Sequence, residues 1–179
     1  MGNPVVRFEI GAADDQALTR FYGALFGWGL QAVADGSTVV DTRGGTGING
    51  GIGRSQSGEP WATFHVEVED PQACLERAGA LGGRTVWPVT ELPGVPEGAY
   101  GQVAAGAEHG IGGGIGAGGE ARWATVYASV GDVEATLGRA EGLGATREYG
   151  PDQVDDHTWT GMFRDPAGNR FGVYRHGPH

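Results

Sequence analysis

The chain repeats itself, and this limits its fold more than any other feature. Gly47-Ile48-Asn49-Gly50-Gly51-Ile52-Gly53 returns as Gly110-Ile111-Gly112-Gly113-Gly114-Ile115-Gly116, with six of seven positions matching at an offset of 63. Trp61-Ala62-Thr63 returns as Trp123-Ala124-Thr125, and Arg77-Ala78 with Leu81-Gly82 returns as Arg139-Ala140 with Leu143-Gly144. The opening of the chain joins the series: Asp14-Asp15-Gln16-Ala17 resembles Asp70-Pro71-Gln72-Ala73, and Gly23-Ala24-Leu25 matches Gly79-Ala80-Leu81. A collinear series of this kind marks one structural unit used repeatedly. The units fall at 1–60, 61–120 and 121–179.

Each unit opens with period-two alternation, the pattern of a strand with two different faces. Its apolar sets are Val6, Phe8 and Ile10, then Ala62, Phe64, Val66 and Val68, then Ala124, Val126, Ala128 and Val130. A helix comes after each strand. Asp14, Asp70 and Asp132 occupy N-cap positions, and Pro71 takes the first helical place. The helical stripes are Ala17, Phe21 and Leu25, then Cys74, Ala78 and Leu81, then Val133, Leu137 and Ala140. Gly27, Gly82-Gly83 and Gly144 stop the helices. Short Val-, Thr-, Tyr- and Gly-rich segments beyond them read as further strands. The fold class is therefore α+β, built from β-α-β-β-β units whose helices bury one face of the sheet.

The opposite strand face carries Val5, Arg7 and Glu9 in the first unit. It carries Trp61, Thr63, His65 and Glu67 in the second, and Trp123, Thr125, Tyr127 and Ser129 in the third. Large aromatics among polar groups suit a curled sheet lining a small-molecule pocket. The formal net charge is −10 with no basic cluster, which argues against nucleic acid and anionic membranes as partners. Cys74 is the only cysteine, so the chain forms no internal disulfide. No apolar run is long enough to span a bilayer. No signal peptide is visible, so the cytoplasm is the expected compartment. The Gly-Ile runs do not resemble phosphate loops, because no Lys-Ser or Lys-Thr comes after them.

The chain ends Phe163-Arg164-Asp165-Pro166-Ala167-Gly168-Asn169-Arg170-Phe171-Gly172-Val173-Tyr174, two strands joined by a tight turn. This resembles the closing hairpin of the vicinal oxygen chelate superfamily, which includes glyoxalase I, extradiol dioxygenases and bleomycin-resistance proteins. Val5-Val6-Arg7-Phe8-Glu9-Ile10, followed by Phe21-Tyr22-Gly23-Ala24-Leu25-Phe26-Gly27-Trp28, resembles its opening. The resemblance implies modules that pair into a cup around one ligand. Three modules cannot pair off within one chain, so a homodimer is expected. The resemblance also implies metal ligands on first and last strands, but those places hold Arg7, Thr63, Thr125 and Gly172. Arg cannot ligate and Gly has no side chain. No cofactor or metal is therefore expected. The alternative is a non-standard site drawn from Glu9, His65, Glu108, His109 and His157.

Two functions fit such a cup. The first is a metal-independent acid–base enzyme (isomerase, cyclase, epoxide-opening or lyase type) acting on a natural-product-like molecule. Arg7, Glu9, His65 and Tyr127 would be its catalytic groups. Trp61, Thr63, Glu67, Trp87, Tyr100, Trp123, Thr125, His157 and Trp159 would line the site. The second is an antibiotic-sequestering protein of the bleomycin-resistance type, which stacks aromatic side chains on a planar drug.

Overall fold

The computed structural model describes residues 3–34, 36–45, 47–86, 88–89 and 124–177. The first unit contains β1 (Val5–Ala12), α1 (Asp15–Phe26), β2 (Gly29–Ala32), β3 (Thr38–Asp41) and β4 (Asn49–Arg54). After it come β5 (Trp61–Val66) and α2 (Pro71–Ala80). The third unit contains β6 (Tyr127–Ser129), α3 (Val133–Gly142), β7 (Thr146–Asp155), β8 (Thr158–Arg164) and β9 (Arg170–His176). The strands form two mixed sheets, ordered β2-β3-β4-β1-β5 and β6-β9-β8-β7. In both, the first strand of the unit pairs in parallel with its last: β1 with β4, and β6 with β9.

Local chemistry fixes the helices. The carboxylates of Asp14, Asp70 and Asp132 accept from the N–H groups of Ala17, Ala73 and Ala135 at 2.8, 2.9 and 2.9 Å. Gly27 closes α1 in the left-handed region at φ 70°. The α3 stripe Val133, Leu137 and Ala140 is buried as expected. On α1 the buried stripe is Leu18, Phe21, Tyr22 and Leu25, so Leu18 and Tyr22 outweigh Ala17. The second unit differs from expectation. Among its described residues, α2 buries none, Cys74 is exposed, and Phe64 and Val66 of β5 are 48% and 42% exposed. The two helices differ in their covering strands. β7, β8 and β9 pack on α3, whereas residues 90–123, on the C-terminal side of α2, lie outside the described residues.

The core joins the first unit to the third. Phe21 meets Phe163 edge-on at 5.8 Å, and Tyr22 meets Phe171 at 5.2 Å. Phe26 and Trp28 extend the cluster, with 4.8 Å between ring centroids. A polar latch crosses the same junction. The Tyr22 hydroxyl donates to Asp165 Oδ2 at 3.0 Å. Asn169 Nδ2 donates to Asp165 Oδ2 at 3.0 Å and to the Gly11 carbonyl at 3.3 Å. The Asp-Pro-Ala-Gly-Asn turn therefore does more than reverse the chain, because it bolts the third unit to β1 and α1. Among the described residues no helix is long and apolar enough to cross a membrane.

Tyr22 carries a prediction. Burial, then the Asp165 charge and hydrogen bond, hold its phenol well above the usual tyrosine value. A raised folded-state value contributes stability that is complete below the unfolded value, about 10, and lost as pH rises through the folded one. Tyr22→Phe is expected to cost about 1.5–3 kcal/mol at neutral pH. It should also remove the alkaline component. Urea midpoints at neutral pH and above pH 10 check both effects, and a variant with unchanged alkaline behaviour would refute the assignment.

Candidate functional site

β1 and β5 are the opening strands of consecutive units, and they pair antiparallel about Phe8 opposite Phe64. The pairing creates a local two-fold axis. Arg7 stands opposite His65, and Glu9 stands opposite Thr63. Glu9 and His65 occupy equivalent places in their units, and the pairing sets them diagonally on one face, within reach of long side chains. The alternation of β1 buries Val6, Phe8 and Ile10 and leaves Arg7 and Glu9 on the other side.

Glu9 is the centre of the group. Its Oε1 lies 3.3 Å from Arg7 Nε, and its Oε2 lies 3.3 Å from His65 Nε2. All three side chains are partly accessible, at 22% for Arg7, 25% for Glu9 and 32% for His65. Hydrogen bonding from His65 lowers the Glu9 carboxyl, burial raises it, and the charges of His65 and Arg7 lower it further. The net position is below the ordinary glutamate value. Two glycines make room around the group. A Cβ at Gly51, which stands on β4 opposite Glu9, would collide with the Arg7 guanidinium. A Cβ at Gly11 would collide with the Trp61 indole, which is 36% exposed beside the group.

The third unit repeats this device with other chemistry. Tyr127 pairs with Gly172, and a Cβ at Gly172 would run into the Tyr127 ring. The Tyr127 hydroxyl bonds with that of Tyr149 at 3.2 Å. Thus Gly51 and Gly172, on the last strands of their units, both lie under a side chain from the first strand. These residues do not fit a divalent ion at the places where the resemblance implies one. Arg7 and Thr125 are not suitable ligands, and the space at Gly172 belongs to an aromatic ring. Among the described residues no group of three His, Cys, Asp or Glu is arranged to hold a metal. Gly172→Ala is expected to displace the Tyr127 ring and cost about 1–3 kcal/mol as overpacking. A crystal structure and a denaturant midpoint read both, and an unmoved ring would contradict the contact.

The remaining expected site residues are dispersed. The Thr125 hydroxyl donates to the Arg170 carbonyl at 2.8 Å, a bond that ties the start of the third unit to β9. Glu67 is exposed just past β5, where its N–H bonds to the Pro4 carbonyl at 3.0 Å. His157 sits in the β7–β8 turn, with its ring 6.4 Å from that of His176. Trp159 packs against the core, with the Arg175 guanidinium 5.8 Å from its ring centroid. Trp87, Tyr100, Glu108, His109 and Trp123 lie outside the described residues. The sequence reasoning missed Tyr149 and the glycines Gly11 and Gly51, whose role appears only when the strands are paired.

No protein-family model and no curated protein matches the sequence. Solved structures do match. A glyoxalase/bleomycin resistance protein from Albidiferax ferrireducens T118 aligns with a TM-score of 0.51 and 14% identity, over 96% of this chain and 98% of its own. TioX from Micromonospora sp. ML1 aligns with a TM-score of 0.50 and 14% identity, over 97% of this chain and 98% of its own. At these identities the likeness is one of fold.

Proposed function

The chain has the fold of the vicinal oxygen chelate superfamily, and from that premise we propose that it is a metal-independent acid–base enzyme acting on a small apolar molecule. The observation that carries this reading is the Arg7–Glu9–His65 group, in which one carboxylate sits 3.3 Å from both a guanidinium and an imidazole on an accessible sheet face. Each member has a role. His65 exchanges a proton with the substrate, Glu9 stabilises the imidazolium that forms, and Arg7 holds the negative charge that develops on substrate oxygen. Such a group suits isomerisation, ring closure, epoxide opening or elimination. An internal ion pair needs no third, accessible imidazole on the same carboxylate.

The exposed Trp61 ring beside the group favours a second reading, sequestration of a planar compound by stacking. The fate of the compound separates the two readings. The chain is incubated in heavy water with a panel of cyclic ketones, epoxides and hydroxy acids, and the products are read by mass spectrometry. Conversion or deuterium uptake that disappears in His65→Gln supports the enzyme. Recovery of bound compound, unlabelled and unchanged, would establish sequestration instead.

A further inference from the structure

Tyr127 and Tyr149 stand on the two outer strands of the four-stranded sheet, yet their hydroxyls meet at 3.2 Å. Strand pairing places Tyr127, Gly172, Met162 and Tyr149 in a single row across β6, β9, β8 and β7. Three strand spacings amount to about 14 Å on a flat sheet. The hydroxyls can meet only because the sheet curls and the rings reach inward over the strands between. Gly172 makes this possible, since any Cβ there would strike the Tyr127 ring. Met162 lies under the same arch. A Cβ at Gly161 would meet Leu137 and Val133 of α3, and Phe163 joins the core, so Met162 between them points the other way. It is nevertheless only 2% exposed. β7 is shaped to deliver its half, because the register shifts on both sides of Tyr149. Bulges re-aim side chains in this manner, often beside functional sites.

We propose that the Tyr127–Tyr149 arch is a binding site for the carbonyl oxygen of a neutral conjugated or aromatic ketone. Two phenols carry two protons, and their mutual bond uses one. The second is left to donate outward, strengthened by the phenol behind it. Burial, then the bond to Tyr149, keeps the Tyr127 proton on well beyond the usual tyrosine range, so Tyr127 acts as a donor and not as a base. The Tyr127 ring is 44% exposed and offers a face for the ligand's own ring. A net charge of −10 favours a neutral ligand over an anion.

This site rests on the reading that the polar sheet faces hold the ligand, and its test is separable from that of Glu9 and His65. The probe is para-dimethylaminoacetophenone, whose absorbance moves to longer wavelength when its carbonyl accepts a hydrogen bond. Equilibrium dialysis with absorbance should show saturable, red-shifted binding to the wild-type chain. Tyr127→Phe and Tyr149→Phe keep the rings and remove the hydroxyls, and each should weaken binding about tenfold. The double variant should be little weaker than the singles, because the pair acts as a unit. Absence of probe binding, or binding within twofold of wild type in both single variants, would overturn the proposal whatever Glu9→Gln does to turnover.

Discussion

Asp165→Ala is expected to destabilise the fold by about 3–5 kcal/mol, because more than one buried neutral donor loses its acceptor at about 1–3 kcal/mol each. The carboxylate is 4% exposed and accepts from four donors. These are the Tyr22 hydroxyl, the N–H groups of Ala167 and Asn169, and the Asn169 amide. Removing it takes the acceptor from the buried Tyr22 hydroxyl and Asn169 N–H, while the Asn169 amide keeps its bond to the Gly11 carbonyl. A typical domain has only about 5–15 kcal/mol in total. Asp165→Asn should cost less, since its oxygen still accepts while its amide opposes a donor. Urea unfolding measures both changes. A shift below about 1 kcal/mol for the alanine variant would show that the latch is dispensable.

In the proposed acid–base reaction, Glu9→Gln is expected to lower kcat by about a hundredfold to ten-thousandfold, the range of positioned acid–base groups. Glutamine keeps the shape and one acceptor but cannot stabilise an imidazolium. The pH profile adds a stricter criterion. His65 and Arg7 hold the Glu9 carboxyl below its ordinary value of 4.5, so the carboxylate persists below that pH. Its contribution to stability is present above 4.5 and fades as pH falls through the lower folded-state value. Wild type and Glu9→Gln should therefore differ in urea midpoint near neutrality and converge in acid. A variant with wild-type kcat would remove Glu9 from the mechanism, whatever its effect on stability.

Period-two alternation placed Phe8 and Ile10 inside and Arg7 and Glu9 outside, and the structure agrees. The caps Asp14, Asp70 and Asp132 were equally legible, because an N-cap acts within three residues of itself. Contacts between distant segments were not. Nothing local ties Tyr22 to Asp165, which stands 143 residues further along the chain. The stripe Cys74, Ala78 and Leu81 was expected to face a core, but α2 has no buried residue and Leu81 is its exposed C-cap. At the site, duplication identified Glu9 and His65 as equivalent positions. Their approach to 3.3 Å depends on the antiparallel register of β1 and β5, which composition does not encode. Tyr149 was invisible for a similar reason, since two register shifts carry it across a sheet.

The junction between the first and third units also sets a timetable for synthesis. The chain emerges N-terminus first, at about 5–20 residues per second. Tyr22 is complete long before Asp165, Phe163 and Phe171 exist to receive it. At that rate the interval of 143 residues lasts about 7 to 30 seconds. Through that interval the nascent chain lacks the aromatic partners of Phe21 and Tyr22 from the third unit, and a part-covered aromatic surface is the kind on which chains stick to one another or are held by chaperones. A fragment ending before β8 would never gain Phe163 and Phe171 as partners for Phe21 and Tyr22, so the first unit is expected to aggregate when produced alone.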